Sequence, residues 1–478
     1  MTHLPRRISE IYFYVIPVLF LFGLFSCKPH ENNDVLLKFS TPIINFDTVF
    51  TSVGSVTKLF TVHNPSNSEI KTTIFLAGKG SFYSINVDGE WKKENYFKNV
   101  VIPKKDSIFI FVQVNIDPAD KDNPFLITDS IVFLTGQNIQ DVKLLAYGQD
   151  ARYIIADKKT GFKVVAGENE TVRWTKERPY VVYGWAAIDS LGALIIESGT
   201  RVYFHNNSGL WAYRGSYLKV DGTLDDPVSF RGDRLESWYD KDYAQWNRIW
   251  INEGADADIN FAIISNAFIG VQVDPFYPNG QPVPVTINSL VKIENTIIKN
   301  TKHCGVMSRF LNVDMTNCLI YNNGASSVRL EGGKYTLKHI TISNDFIQAE
   351  RKDPACYVSN LVIGYYNYPD IPMDIKADFI NCIITGRNET EVIVNKKSEE
   401  ELTTSFQNCL IKSKNSSEYF IETILNKDPL FQDKEKLNFQ LKPDSPAIGK
   451  GKPNIGVLED ILGKIRKNPP DIGAYESQ

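Results

Sequence analysis

The chain has 478 residues, 43% of them hydrophobic and 23% charged, with a formal net charge of −4. That length calls for more than one domain or one long repeat array. The slightly acidic balance gives no basic excess of the kind nucleic-acid binders carry.

The first residues read as a targeting segment. Arg6 and Arg7 precede an apolar run from Ile11 to Phe25, followed by Ser26 and Cys27. This is the layout of a secretory signal; the competing reading, a single membrane anchor, asks for a longer run. Cys27 after Leu24-Phe25-Ser26 resembles a bacterial lipoprotein cleavage site, although Phe25 departs from the usual box. The resemblance implies a lipidated cysteine at the head of the mature chain. Residues 1–27 are then signal peptide and lipid site, and 28–34 a polar tether. Lys28 followed by acids resembles the export signal of Bacteroidetes surface lipoproteins. The expected location is the outer membrane, lipid-anchored, on the cell surface or the periplasmic face.

Residues 35–150 alternate in the period of strands. Apolar alternation over Ile43–Phe50, Lys58–His63, Thr72–Leu76, Phe82–Val87, Ser107–Val114, Ser130–Leu134 and Val142–Tyr147 predicts short strands. Turn signals such as Asn64-Pro65-Ser66-Asn67, Asp88-Gly89 and Gly136 separate them, which makes a β-sandwich. The stretch resembles the Ig-like domains found ahead of bacterial solenoids. Residues 151–178 read as a linker.

From 179 to 413 the chain repeats. Asn295-Thr-Ile-Ile298, Asn317-Cys-Leu-Ile320, His339-Ile-Thr-Ile342, Asn360-Leu-Val-Ile363, Asn381-Cys-Ile-Ile384 and Asn408-Cys-Leu-Ile411 share one phrase. The steps are 317−295 = 22, 339−317 = 22, 360−339 = 21, 381−360 = 21 and 408−381 = 27. Units of this size, rich in Ile, Val, Thr and Asn, predict a parallel β-helix whose coils stack about 4.8 Å apart. Asparagine suits a left-handed corner and can hydrogen-bond to its counterpart one coil away. The last two residues of each phrase are both apolar, so alternation leaves open which one points inward. The other row becomes an exterior apolar stripe that something must cover. A second phrase follows Asn266, Asn300 and Asn322. It places Val271/Val273, Val306/Ser308 and Val328/Leu330 inside, and Gln272/Asp274, Met307/Arg309 and Arg329/Glu331 outside.

Pro179-Tyr-Val-Val182, Gly199-Thr-Arg-Val-Tyr-Phe204, Asp221-Gly-Thr223, Pro227-Val-Ser-Phe230 and Trp246-Asn-Arg-Ile249 resemble right-handed parallel β-helix lipoproteins of Bacteroidetes. Asp428-Pro-Leu-Phe431, Asn438-Phe-Gln-Leu441, Ser445-Pro-Ala-Ile448 and Asp471-Ile-Gly-Ala-Tyr-Glu476 resemble that family's closing segment. The resemblance implies the coiled fold of pectate lyases. The fold class is therefore all-β: an Ig-like sandwich, a right-handed parallel β-helix, and a C-terminal cap over 414–478.

Cys304, Cys318, Cys356, Cys382 and Cys409 read as buried stacking thiols, with Cys382 and Cys409 also placed to bridge under oxidation. Their spacing suggests no metal site. Polysaccharide lyases on this fold set carboxylates, often with calcium, beside a basic side chain. Asp274, Arg309, Arg329 and Glu331 supply those residue types, and a charge ladder between coils is the competing reading. No acid cluster able to hold Ca2+ accompanies them, so no cofactor is expected outside the lyase reading. Three aromatic loops carry Trp238, Tyr239 and Tyr243; Phe276 and Tyr277; and Tyr365, Tyr366 and Tyr368. Such loops suit a sugar ring, a protein partner, or the apolar stripe itself. The function expected is a non-catalytic binding or scaffold module for a glycan or an outer-membrane protein complex. The alternative is a polysaccharide lyase or glycoside hydrolase.

Overall fold

The computed structural model describes residues 35–50, 55, 57–79, 81–115, 125–235, 237–275, 290–345, 350–363 and 369–477. Cys27 and the loop residues Phe276, Tyr277, Tyr365, Tyr366 and Tyr368 lie outside these, as does the side chain of Trp238. The chain divides after Gly148 into two compact units.

The first unit is an all-β sandwich of two five-stranded antiparallel sheets. One sheet runs Lys38–Phe39, Lys58–His63, Ser107–Val114, Tyr83–Val87 and Glu90–Trp91. The other runs Ile43–Phe50, Asn138–Gln149, Phe125–Thr135, Ile70–Leu76 and Tyr96–Ile102. Strict alternation puts Ile108, Ile110, Val112 and Val114 into a core shared with Phe60, Phe97 and Phe133. Strand Tyr96–Ile102 escaped the alternation rule for a local reason. Asn99 takes φ +52°, so Phe97 and Ile102 both point inward although five residues apart. The register against Ile70–Leu76 shifts at the same level, between Thr72 and Ile74.

The second unit is a parallel β-helix. Its three sheets hold eleven, nine and ten parallel strands, and successive coils add one strand to each. The first sheet runs from Arg152–Ile155 to Ile424–Leu425, the second from Phe162–Ala166 to Val392–Asn395, and the third from Thr171–Trp174 to Phe420–Ile421. Residues 151–178 are thus no linker. They form the first coil, with Trp174 buried and stacked 4.4 Å from Tyr180.

The asparagine phrases occupy corners. Asn295, Asn317, His339, Asn381 and Asn408 all have positive φ, between 46° and 58°, at the turn from third to first sheet. Asn266, Asn300 and Asn322 do the same, at 65°, 53° and 55°, at the turn from first to second sheet. The phrase at Asn360 departs from this pattern. Leu361–Val362 pairs antiparallel with Ile371–Pro372 outside the coil, and Val358 aligns with Leu330 in the second sheet. Asn360 therefore leads no coil, and the true step is 381−339 = 42, one turn with two insertions. Both false 21-residue steps came from an excursion whose length happened to mimic two periods.

The open question of inward and outward rows is settled by the register. Ile264, Ile298, Ile320, Ile342, Ile384 and Ile411 align and fill the interior. Ile297, Leu319, Thr341, Ile383 and Leu410 align on the outside. The residues expected to cap the solenoid divide into two parts. Tyr419, Phe420 and Leu425 pack against the last coil of the core. Beyond them Phe431, Phe439, Leu441, Ala447, Ile461, Ile472 and Ala474 cover the exterior stripe on the flank.

The corner residues also fasten this flanking segment. Asn317 donates to Glu459 O (2.9 Å) and accepts from Arg466 (2.8 Å); Asn381 pairs with the Lys452 backbone, donating over 3.0 Å and accepting over 2.6 Å. His339 is fully buried, with Nδ1 3.2 Å from Gly473 O and Nε2 3.1 Å from Asn381 Nδ2. A carbonyl can only accept, so Nδ1 carries the proton and Nε2 accepts: the ring must be neutral. Burial, reinforced by Arg466, holds its pKa well below the ordinary 6.5.

The unfolded chain therefore takes up a proton below about pH 6.5 that the folded chain refuses, so stability falls as pH drops. The expected slope from this residue is about 1.4 kcal/mol per pH unit. His339→Asn restores the residue found at neighbouring corners and should remove that slope. Urea midpoints for both proteins at pH 7.5, 6 and 5 measure the difference, and the lowered His303 contributes equally to both.

Candidate functional site

The outer face of the second sheet gathers most of the chemistry. Val164, Ala187, Trp211, Trp250, Gln272, Met307, Arg329, Tyr357 and Ile393 align in one outward column. The next outward position on the same coils holds Asn252, Asp274, Arg309 and Glu331.

Its early coils form an aromatic cluster. Trp211 and Trp250 stand on successive coils with ring centroids 5.4 Å apart and planes 15° apart. Trp185 lies 6.0 Å from Trp250, and Phe162 meets Trp211 edge-on at 5.9 Å. Trp185 reaches the cluster because Gly209 stands beside it: a Cβ there would sit 2.5 Å from the Trp185 ring. Each central indole is pinned by its nitrogen, Trp211 to Asn252 Oδ1 (2.6 Å) and Trp250 to Asp274 Oδ1 (2.5 Å). All three tryptophans are half-buried, which suits rings that pack on one side and present an apolar surface on the other.

The four charged residues singled out in the sequence do come together, but as two closed pairs. Arg309 bonds Asp274, with side chains 8% and 3% exposed. Arg329 Nε bonds Glu331 Oε1 (2.7 Å), and its guanidinium lies 4.3 Å over the Tyr357 ring. Asp274 also accepts from Gln272 Nε2 (2.7 Å), and Glu331 from the Ile363 backbone (3.4 Å). Burial weighs against the Arg329 charge, yet the Glu331 carboxylate holds its pKa above the ordinary arginine value. These groups point away from the core, yet Asp274, Arg309 and Glu331 are buried and Arg329 is half-buried. A guanidinium kept charged by a carboxylate is a poor proton acceptor, so the set suits β-elimination badly; Arg309–Asp274 links one coil to the next, whereas Arg329 and Glu331 share a strand.

Histidine offers no base here either. His303 contacts Cys304 Sγ at 2.9 Å and stacks 5.9 Å from Phe268, and burial, reinforced by Arg329, lowers its pKa. Among the described residues, no group of three His, Cys, Asp or Glu side chains could hold a metal ion. Cys304, Cys318, Cys356, Cys382 and Cys409 are all buried and free.

The described aromatic loop residues serve the corners. Tyr239 and Tyr243 are half-buried on a loop whose 3-10 turn spans Ser237–Lys241. Asn266 donates to Asp240 O (3.0 Å), Asn300 donates to the same carbonyl (3.1 Å), and Gln245 donates to Tyr239 O (2.6 Å). Left-handed corner asparagines thus hold the loop down. Asp274, Arg309 and Glu331 alternate in charge on successive coils of the second sheet, and a second alternating ladder lies on the third sheet, where Lys219, Asp258, Lys292 and Asp314 align.

Trp185, Trp211 and Trp250 were missed by sequence reasoning because insertions separate them. The steps 211−185 = 26 and 250−211 = 39 hide the column. The usable signal was the repeated apolar–Trp–apolar triplet, Leu210-Trp-Ala212 and Ile249-Trp-Ile251.

No protein-family model matches the chain, and no curated protein matches it. Among solved structures, a family 123 glycoside hydrolase from Clostridium perfringens is similar over 29% of this chain and 30% of its own, at 6% identity and a TM-score of 0.20. The chain thus spans under a third of that enzyme, a likeness too slight to carry fold or function.

Removing Arg309 alone leaves Asp274 buried and charged, so Arg309→Met is expected to cost about 3–5 kcal/mol. Adding Asp274→Asn keeps the acceptor for Trp250 and should recover most of that loss. Thermal unfolding of the single and double variants measures it; a double variant as unstable as the single contradicts the ion-pair account.

Proposed function

We propose that this protein is an exported, lipid-anchored binding module that holds a glycan against the outer face of its second sheet. The observation that carries the reading is the Trp185–Trp211–Trp250 cluster, in which the indole nitrogens of Trp211 and Trp250 are already bonded and fix those two rings. A preset aromatic surface binds with little ordering cost, because the side chains are immobilised before the ligand arrives. Sugar rings offer C–H faces to such surfaces, and the half-buried Arg248 beside them can meet their hydroxyls. A β-helix supplies a long, rigid wall on which several sugar units can lie in line.

The lyase alternative is the weaker reading. Its candidate base, Arg309, is spent on Asp274, and Arg329 is spent on Glu331. A protein of the outer membrane is the alternative partner, and a lipid on Cys27 would hold the module near a membrane surface with either one.

Trp250→Ala should weaken binding to the preferred member of a polysaccharide panel about tenfold, equivalent to about 1.4 kcal/mol. Affinity gel electrophoresis measures this, and unsaturated-product absorbance on uronate polymers should stay flat for wild type and Arg309→Ala alike. Cys27→Ala should abolish incorporation of labelled palmitate in the expressing cell and release the chain from the membrane fraction.

A further inference from the structure

We infer that the N-terminal sandwich carries a saccharide-binding groove of its own, separate from the tryptophan face of the solenoid, and that its ligand is a neutral glycan. The outer side of one sandwich sheet displays an ordered apolar row. Trp91 pairs with Asn86, Asn86 with Phe111, and Phe111 with Leu59, so these four lie straight across the sheet. Trp91, Leu59 and Phe111 are 62%, 50% and 36% exposed. Single exposed apolar side chains are ordinary; a row of them in register is not.

A polar row runs beside it. Ser84 pairs with Gln113, and Gln113 Nε2 bonds Thr57 Oγ1 at 2.5 Å. Between the rows lies a groove of about 370 Å³, lined by Thr57, Ser84, Asn86, Trp91, Phe111 and Gln113 among others. That volume falls within the ~300–1,000 Å³ of small-ligand clefts. An aromatic row for sugar C–H faces beside amides and hydroxyls for sugar hydroxyls is the pairing a pyranose needs. Every lining residue is uncharged, which matches a neutral saccharide and offers no counter-charge to a uronate.

The groove is also preformed. Asp88 and Gly89 have φ of 49° and 91°, a tight hairpin that presents Trp91. Gly89 N–H donates to Asn86 Oδ1 (2.9 Å), fixing that amide at the floor of the groove. A Cβ on Gly89 would meet nothing within 4 Å, so the turn leaves the rim beside Trp91 open.

Affinity electrophoresis of the full chain in gels carrying starch, laminarin, xyloglucan or galactomannan, with polygalacturonate as the acidic control, tests this. At least one neutral polymer should retard the wild type. Trp91→Ala should weaken that retardation tenfold or more with an unchanged melting temperature, Asn86→Ala should weaken it too, and Ile139→Ala, an exposed apolar side chain on the other sandwich sheet, should keep it. The inference is overturned if no neutral polymer retards the wild type, or if retardation survives both sandwich variants. It is likewise overturned if the row instead drives self-association, seen as a concentration-dependent mass by light scattering that Trp91→Ala abolishes. Loss with Trp250→Ala alone would locate all binding on the solenoid and overturn it too.

Discussion

The solenoid depends on the left-handed corner. An L-residue pays about 1–2 kcal/mol to hold positive φ, and asparagine recovers part of this because its short amide finds partners close by. Here the partner is another corner. Asn317 Nδ2 donates to Asn295 Oδ1 (3.1 Å), Asn381 Nδ2 donates to His339 Nε2 (3.1 Å), and Asn295 Nδ2 donates to Asn260 Oδ1 (2.9 Å), at the strand end just before the Phe261 corner. Each such bond holds one coil over the next, and in a strand a one-residue slip would send every side chain to the opposite face. The interior isoleucines, the tryptophan column and the outer apolar stripe all inherit their alignment from this constraint.

The same corners have a second use. Corner asparagines have more hydrogen-bonding capacity than stacking consumes, and the flanking C-terminal segment takes up the surplus. Arg466 shows how closely the segment is held. It reaches Asn317, Glu476 and the carbonyls of Gly473 and Ala474, and burial pulls its pKa down to about 10 against the pull of Glu476. Polar anchoring sets the position, while the apolar contact beneath supplies the larger favourable term.

Much of the architecture was legible because it follows from local chemistry repeated. Strands Lys58–His63 and Ser107–Val114 alternate cleanly, and the Asn295, Asn317, Asn381 and Asn408 phrases announce the stack. Legibility failed where a local rule met a long-range choice. Asn360 carried the right phrase in an excursion, and residues 151–178 lacked the phrase although they form a coil. At the candidate site the charged residues were found and their burial was not, since sequence shows which face a residue takes but not what it bonds there. The tryptophan cluster stayed hidden because a column exists only once insertions are looped out.

The outer stripe has a consequence for how the chain comes into being. Thr341 Oγ1 accepts from the Ala474 backbone, 133 residues later, and Leu319, Ile383 and Leu410 are covered by the same late segment. A chain that emerges from its amino end completes those coils before their cover exists. For that interval a greasy strip faces water, and partly finished molecules are prone to adhere to one another. The strip is sealed only when the segment from Phe431 to Ala474 has docked over it.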